Sequence, residues 1–131
     1  MMDSPEQLKI LIKPEITPAQ LREYAEASGD HNPIHLEPNF AKEAGFPSVI
    51  AHGMLSMAFM ADCLQNHFAP QKYAVKRLQC RFRKVTFPGD VIRCGGEIKA
   101  KNPDGTLTLA LWTQNQKGEN TSEGSAIILT E

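Results

Sequence analysis

Asp30, Asn32 and His35 stand in one short segment, Ser28-Gly29-Asp30-His31-Asn32-Pro33-Ile34-His35, and a second segment, Ala51-His52-Gly53-Met54, opens a long apolar run. A carboxylate and an imidazole held close together can take a proton from one atom and return it to another, which is general acid–base chemistry. A glycine N–H in the first turn of a helix can meet developing negative charge, because the positive end of the helix dipole lies there. These residue types also have plainer uses. Asp30 and Asn32 in a Gly-Asp-x-Asn-Pro turn can simply hydrogen-bond their own backbone. His31 and His35 have the spacing that puts two metal ligands on one helix face. Pro33 between them forbids a regular helix, however, and no cysteine or carboxylate pattern completes a site, so no metal is expected. His52 reads as a structural histidine beside Gly53, and His67, with no motif around it, reads as a surface residue.

Elements must hold these residues in place. Thr17-Pro18-Ala19-Gln20 predicts a helix start, with threonine as N-cap, proline at N1 and glutamine at N3, and about three turns should follow. Leu21, Tyr24 and Ala25 give that helix an apolar stripe, and Gly29 stops it where a left-handed residue is tolerated. Asp30 to His35 is then a shaped loop, since Pro33 lacks an N–H and pushes Asn32 out of the α region. Pro38 predicts a short helix through Phe40 and Ala44, ended by Gly45 and Pro47. Val49 to Phe68 is apolar on almost every side, which predicts a buried helix. Beyond Pro70 the period changes to two: Leu78, Cys80 and Phe82 alternate with Arg77, Gln79, Arg81 and Arg83, so a strand has one apolar and one cationic face. Further strands are expected over Val91–Ala100, Thr106–Thr113 and Ser122–Leu129, with a first short one near Leu8–Ile12. A long buried helix followed by four strands predicts an α+β fold, an antiparallel sheet wrapped around that central helix, as a single domain over residues 1–131. Its open edge predicts a second subunit, a homodimer being the simplest case.

The pattern G-D-x-N-P-x-H over Gly29–His35, with H-G-M at His52–Met54 downstream, resembles the MaoC-like dehydratases and (R)-specific enoyl-CoA hydratases, and the order of elements looks like theirs from about Leu8 onward. The resemblance implies a hotdog fold. It implies (R)-specific hydration of trans-2-enoyl thioesters, or the reverse dehydration, on coenzyme A or an acyl carrier protein, with no cofactor. In that reading Asp30 accepts the proton of water, while His35 orients the water and donates to Cα. Asn32 braces the loop and Gly53 offers its N–H to the thioester carbonyl, both on the substrate-binding side. Met54, Met57, Phe59 and Met60 are candidates to line an acyl tunnel, within a stripe that is mostly core. No serine stands in the middle of the buried helix, where some relatives carry one; Ala61 and Asp62 occupy that stretch. Three rivals keep the same scaffold: an acyl-thioesterase, which would direct water at the carbonyl carbon, a non-catalytic acyl-binding subunit of a heteromeric dehydratase, and a hydratase dedicated to branched or dicarboxylic acyl groups.

Composition narrows the partners. With a formal net charge of -1 and 41% hydrophobic residues, the chain suits a folded domain with a core and gives no global reason to expect nucleic acid or an anionic membrane. The basic residues Arg77, Arg81, Arg83, Lys76 and Lys84 could meet coenzyme A phosphates or an acidic carrier protein, though a solvated sheet face accounts for them as well. Cys63, Cys80 and Cys94 form no CxxC pair, and an odd count without a secretory leader points to a reducing cytoplasm. No apolar run reaches the roughly 20 residues of a membrane span.

Overall fold

The computed structural model describes residues 6–131. Two short strands, β1 (Glu6–Gln7) and β2 (Leu11–Ile12), precede helix α1 (Pro18–Ser28), a 3-10 turn at Pro33–His35 and helix α2 (Pro38–Glu43). The long helix α3 (Gly53–Phe68) follows, then strands β3 (Tyr73–Phe82), β4 (Arg93–Lys101), β5 (Thr106–Gln114) and β6 (Asn120–Thr130). The sheet is antiparallel in the order β1-β4-β5-β6-β3, with β2 beside β1 on the same edge of β4. Helix α3 packs against β3, β4 and β5 of the sheet, the α+β hotdog arrangement expected from the sequence.

The first strand is broken where a continuous one was expected. Leu8 N–H still reaches the Gly96 carbonyl at 2.9 Å, but Lys9 N–H turns to His67 Nδ1 at 3.0 Å. His67 is therefore a backbone acceptor at the sheet edge and not an idle surface residue. Helix α1 starts and stops as predicted: Thr17 Oγ1 accepts from Gln20 N–H, and Gly29 adopts φ 79°. The apolar run from Val49 becomes helical only at Gly53, because Ile50 and Ala51 spend their N–H groups on the carbonyls of Ile34 and Thr86. Nor is α3 enclosed all round. Leu55, Ser56, Phe59, Met60, Cys63, Leu64 and Phe68 face the sheet, while Met54, Ala58, Ala61 and Asp62 face outward.

The core joins α3 to β4, β5 and β6 through Met60, Leu64, Cys94, Leu109, Ala126 and Ile128, each almost wholly buried. The leucine, isoleucine and methionine side chains among these each contribute about 1.5–3 kcal/mol when removed from water. Gly124 lets the helix approach, since a Cβ there would lie 3.1 Å from Met60 Sδ and 2.2 Å from the Gln79 carbonyl oxygen. Beneath α3 the buried hydroxyls of Thr113, Thr121 and Ser122 bond to one another, so no polar group in that trio is left unpaired. Strand β3 lies at the other edge of the sheet with Val75 and Phe82 exposed, and its cationic face is solvent-facing.

Candidate active site

Three pinned segments build the site. The first turns out of α1 at Gly29, where Ser28 Oγ accepts from Asp30 N–H at 3.2 Å. Asp30 Oδ1 accepts from Asn32 N–H at 3.2 Å, and Asn32 Oδ1 accepts from Ile34 N–H at 3.1 Å, capping the 3-10 turn that carries His35. The turn-forming use of Asp30 and Asn32 is therefore real, but it occupies one carboxylate oxygen only. Asp30 Oδ2 faces His35 Nε2 at 3.9 Å.

The second segment, Ile50 to Gly53, fixes the histidine. His35 Nδ1 lies 2.8 Å from the Ile50 carbonyl. A carbonyl only accepts, so Nδ1 carries the proton and Nε2 of the neutral ring presents its lone pair toward Asp30. One water fits across the 3.9 Å between Nε2 and Oδ2: it donates to the carboxylate, and it accepts from Nε2 when the ring is protonated. The side chains differ in exposure, His35 at 11% and Asp30 at 52%, so the imidazole is held by the fold while the carboxylate stays open to solvent.

His52, 2% exposed, is the N-cap of α3. Its Nε2 lies 3.0 Å from the Asp30 carbonyl, its ring stacks on His35 with centroids 3.9 Å apart, and Tyr24 meets its edge at 4.8 Å. Nδ1 is buried without a hydrogen-bond partner among the described residues. Burial pushes the His52 pKa down; the Asp30 backbone carbonyl opposes this, and the neighbouring His35 reinforces it.

Gly53 opens α3, so its N–H has no intrahelical acceptor and lies at the positive end of the dipole. A Cβ at this position would come within 2.9 Å of the Phe82 ring, which covers the helix start. The third segment, Phe82 to Thr86, completes a cavity of about 270 Å³ lined also by His35, Ile50, His52, Gly53, Ser56 and Thr121. Asp30 and Asn32 stand outside its wall. At its mouth Arg83 pairs with Glu123 at 3.1 Å and Lys84 pairs with Glu119. A larger hollow of about 620 Å³, between Gln65 and Glu131 at the far end of β3, contains no histidine and lies away from these residues.

Of the residues expected in the site, His35 and Gly53 line the cavity, Asp30 faces His35 from outside its wall, and Asn32 caps the turn that carries His35. The methionines do not. Met60 packs in the core, Met54 is exposed, and neither they nor Met57 and Phe59 line the cavity. Its apolar wall comes from Ile50, Phe82 and Val85, which sequence reasoning did not single out, and the serine near the site is Ser56 in the first turn of α3. His31 points back to Glu26 of α1, its Nδ1 3.9 Å from that carboxylate, and so does not join His35.

Asp30, His35 and His52 each bring a ligand-type atom within 4.8 Å of the others. The two imidazoles lie face to face at 24°, whereas a shared ion would need both ring edges turned toward it. His52 Nε2 is also committed to a carbonyl. The trio suits proton transfer better than metal binding. The cysteines offer no rival nucleophile: burial pushes Cys63 up to about 11 and Cys94 up to about 12, and raises Cys80 as well.

Comparison with known proteins places the chain among relatives. The MaoC-like domain model matches residues 5–120. The 3-hydroxyacyl-thioester dehydratase X of Mycobacterium tuberculosis is 48% identical over 62 residues, 47% of this chain and 22% of that protein. The peroxisomal enoyl-CoA hydratase 2 of Arabidopsis thaliana is 39% identical over 66 residues, 50% of this chain and 21% of that protein. The matched stretch thus spans only about a fifth of each of those two relatives. Among solved structures, the (R)-hydratase of A. caviae superposes with a TM-score of 0.89 at 25% identity, covering 99% of this chain and 98% of that one. The R-hydratase of Pseudomonas aeruginosa gives 0.89 at 26% identity, covering 98% and 82%.

Proposed function

The chain belongs to the MaoC-like domain family, and from that premise we propose that it is a hydro-lyase that adds water to trans-2-enoyl thioesters, or removes it from (R)-3-hydroxyacyl thioesters, without metal or redox cofactor. The observation that carries this reading is the 3.9 Å gap between Asp30 Oδ2 and His35 Nε2 beside the start of α3. In hydration, Asp30 enters as carboxylate and His35 as imidazolium, its Nδ1–H on Ile50. Water donates to Asp30 and its oxygen attacks Cβ; the proton passes to Asp30. The π electrons of the C=C bond move onto the thioester oxygen, and the Gly53 N–H stabilises the resulting enolate. The enolate then collapses as Cα takes the Nε2 proton of His35. Proton transfer from Asp30 to His35 restores the starting state, so the pair takes up one proton and releases one. Loss of a donor such as the Gly53 N–H typically costs about 3 kcal/mol of transition-state stabilisation.

Asn32 serves binding by holding the loop, and the (R) outcome is taken from the hydratases that this fold matches. The acyl group, carried on coenzyme A or an acyl carrier protein, enters the cavity between Ile50, Phe82 and Val85. Because Phe82 and Val85 are exposed beside the free edge of β3, we also place a second copy of the chain there, in a homodimer. Among the described residues no helix is long and apolar enough to cross a membrane. A cytoplasmic enzyme is the reading we adopt.

The test is the fall in enoyl-thioester absorbance when purified protein and Asp30→Asn meet crotonyl-CoA, with a parallel assay for released thiol. Decay without thiol release, lost in the variant, is expected. Thiol release would mean a thioesterase. No reaction with crotonyl-CoA, longer enoyl-CoAs or enoyl-carrier protein would leave a binding subunit.

A further inference from the structure

His52 takes no part in the proton transfers above, yet it touches both residues that do. Its ring lies 3.9 Å from the His35 ring, nearly parallel, and its Nε2 meets the Asp30 main-chain carbonyl at 3.0 Å. Tyr24 on α1 closes the remaining edge. We propose that His52 is a positioning residue for the hydration chemistry: its Nε2–H ties the Asp30 backbone to α3 while its ring supports His35 from behind, so carboxylate and imidazole stay on one water.

The tautomer follows from the partners. The Asp30 carbonyl can only accept, so Nε2 donates. Protonating the ring would then place a second N–H at Nδ1, buried and without an acceptor among the described residues, beside an imidazole that itself carries charge during turnover. Each consequence disfavours the cation. The groups facing the ring are His35 and Asp30 on the loop, the more distant His31, and Tyr24 on α1. The only carboxylate among them is Asp30, whose Oδ1 is engaged by Asn32 N–H and whose Oδ2 faces His35. A neutral His52 leaves His35 free to carry the single positive charge of the pair.

The effect on rate is geometric. Because the reacting atoms must stay within a few tenths of an ångström of productive placement, loosening the support by about 1 Å is expected to lower turnover about 100-fold with little change in binding. The inference rests on the hydratase reading, and its test separates the two. His52→Phe keeps the ring and the stack but loses the donor; His52→Gln places an amide N–H near the Nε2 position and loses the stack. With crotonyl-CoA, His52→Phe should lose about 10- to 100-fold in kcat with KM within about threefold, and His52→Gln should recover at least a third of that loss on a logarithmic scale. Nitrogen-15 NMR of the wild type, which needs no variant to fold, should show His52 as a neutral Nε2–H imidazole at pH 7, with a pKa below that of a free imidazole. An active wild type whose His52→Phe variant retains full kcat, or loses activity through KM alone, would overturn the role, as would an Nδ1–H tautomer. A wild type inactive on every enoyl thioester would instead overturn the hydratase reading itself.

Discussion

Removing Asp30 and His35 singly and together should reveal whether one water links them. Asp30→Asn changes little else: the amide oxygen can still accept from Asn32 N–H, held at 3.2 Å, and the bond from His52 uses the main-chain carbonyl. The side chain is half exposed, so the fold should lose no more than the roughly 0.5 kcal/mol typical of a surface exchange. Loss of an acid–base group should lower kcat about 10²- to 10⁴-fold, which is about 2.7–5.4 kcal/mol. His35→Ala should fall in the same range, and it also strips the Ile50 carbonyl of its donor at a cost of about 1 kcal/mol in stability, which a melting curve registers separately. Independent roles would make the double variant worse by the product of the two factors. Across the 3.9 Å gap, either group without the other has no bridging water to hold. The double variant should therefore fall no more than about tenfold below the less active single variant, a coupling of at least about 1.3–4 kcal/mol. Initial rates at saturating crotonyl-CoA measure each corner of the cycle. Losses that add to within about 0.5 kcal/mol would refute the shared water.

Asn32→Ala should destabilise the chain by about 1 kcal/mol through loss of the cap on Ile34 N–H, and the same variant should lower kcat because the loop carries both reacting groups; thermal melting and turnover check the two effects. His52 has a depressed pKa in the folded chain, so below its ordinary value of about 6.5 the unfolded chain binds more protons and stability falls as pH drops from there toward the folded pKa. Between pH 7 and 5.5, Tm should thus fall more steeply in wild type than in His52→Gln; equal slopes would contradict the assigned burial. At pH 8 a thiol reagent should label at most the half-buried Cys80 quickly, and all three cysteines only after unfolding.

Much of this was legible in the sequence because it rests on local rules. Thr17, Pro18 and Gly29 mark the ends of α1 through cap chemistry that acts within a few residues, and α1 cannot run on to His35 because Pro33 pushes Asn32 out of the α region before it opens the 3-10 turn. The strand pattern after Pro70 survives for the same reason, with the ends of β4, β5 and β6 shifted by no more than two residues and β3 starting four residues before the alternation at Arg77. What was hidden depends on partners distant in the chain. The Ile50 carbonyl that sets the His35 tautomer is main chain, so residue type says nothing of it. Phe82 belongs to an alternating strand and reads as core, yet it ends β3 just where the sheet passes the start of α3. The methionines of α3 share the apolar character of its core stripe, and periodicity does not distinguish a cavity wall from packing.

The pins on either side of the reacting pair have a consequence for how the molecule can vary. Ile50 N–H meets the Ile34 carbonyl at 3.1 Å and His35 meets the Ile50 carbonyl, so the stretch from 36 to 49 leaves and re-enters the site at one point, like a handle clamped at its base. Ala41 is buried and anchors the middle of that handle, but its tip at Gly45 turns at φ 99° with open space around it. Doubling the length of such an excursion costs only about 0.6 kcal/mol in closure entropy. Insertions at the tip can therefore lengthen this excursion while Asp30, His35 and Gly53 keep their spacing.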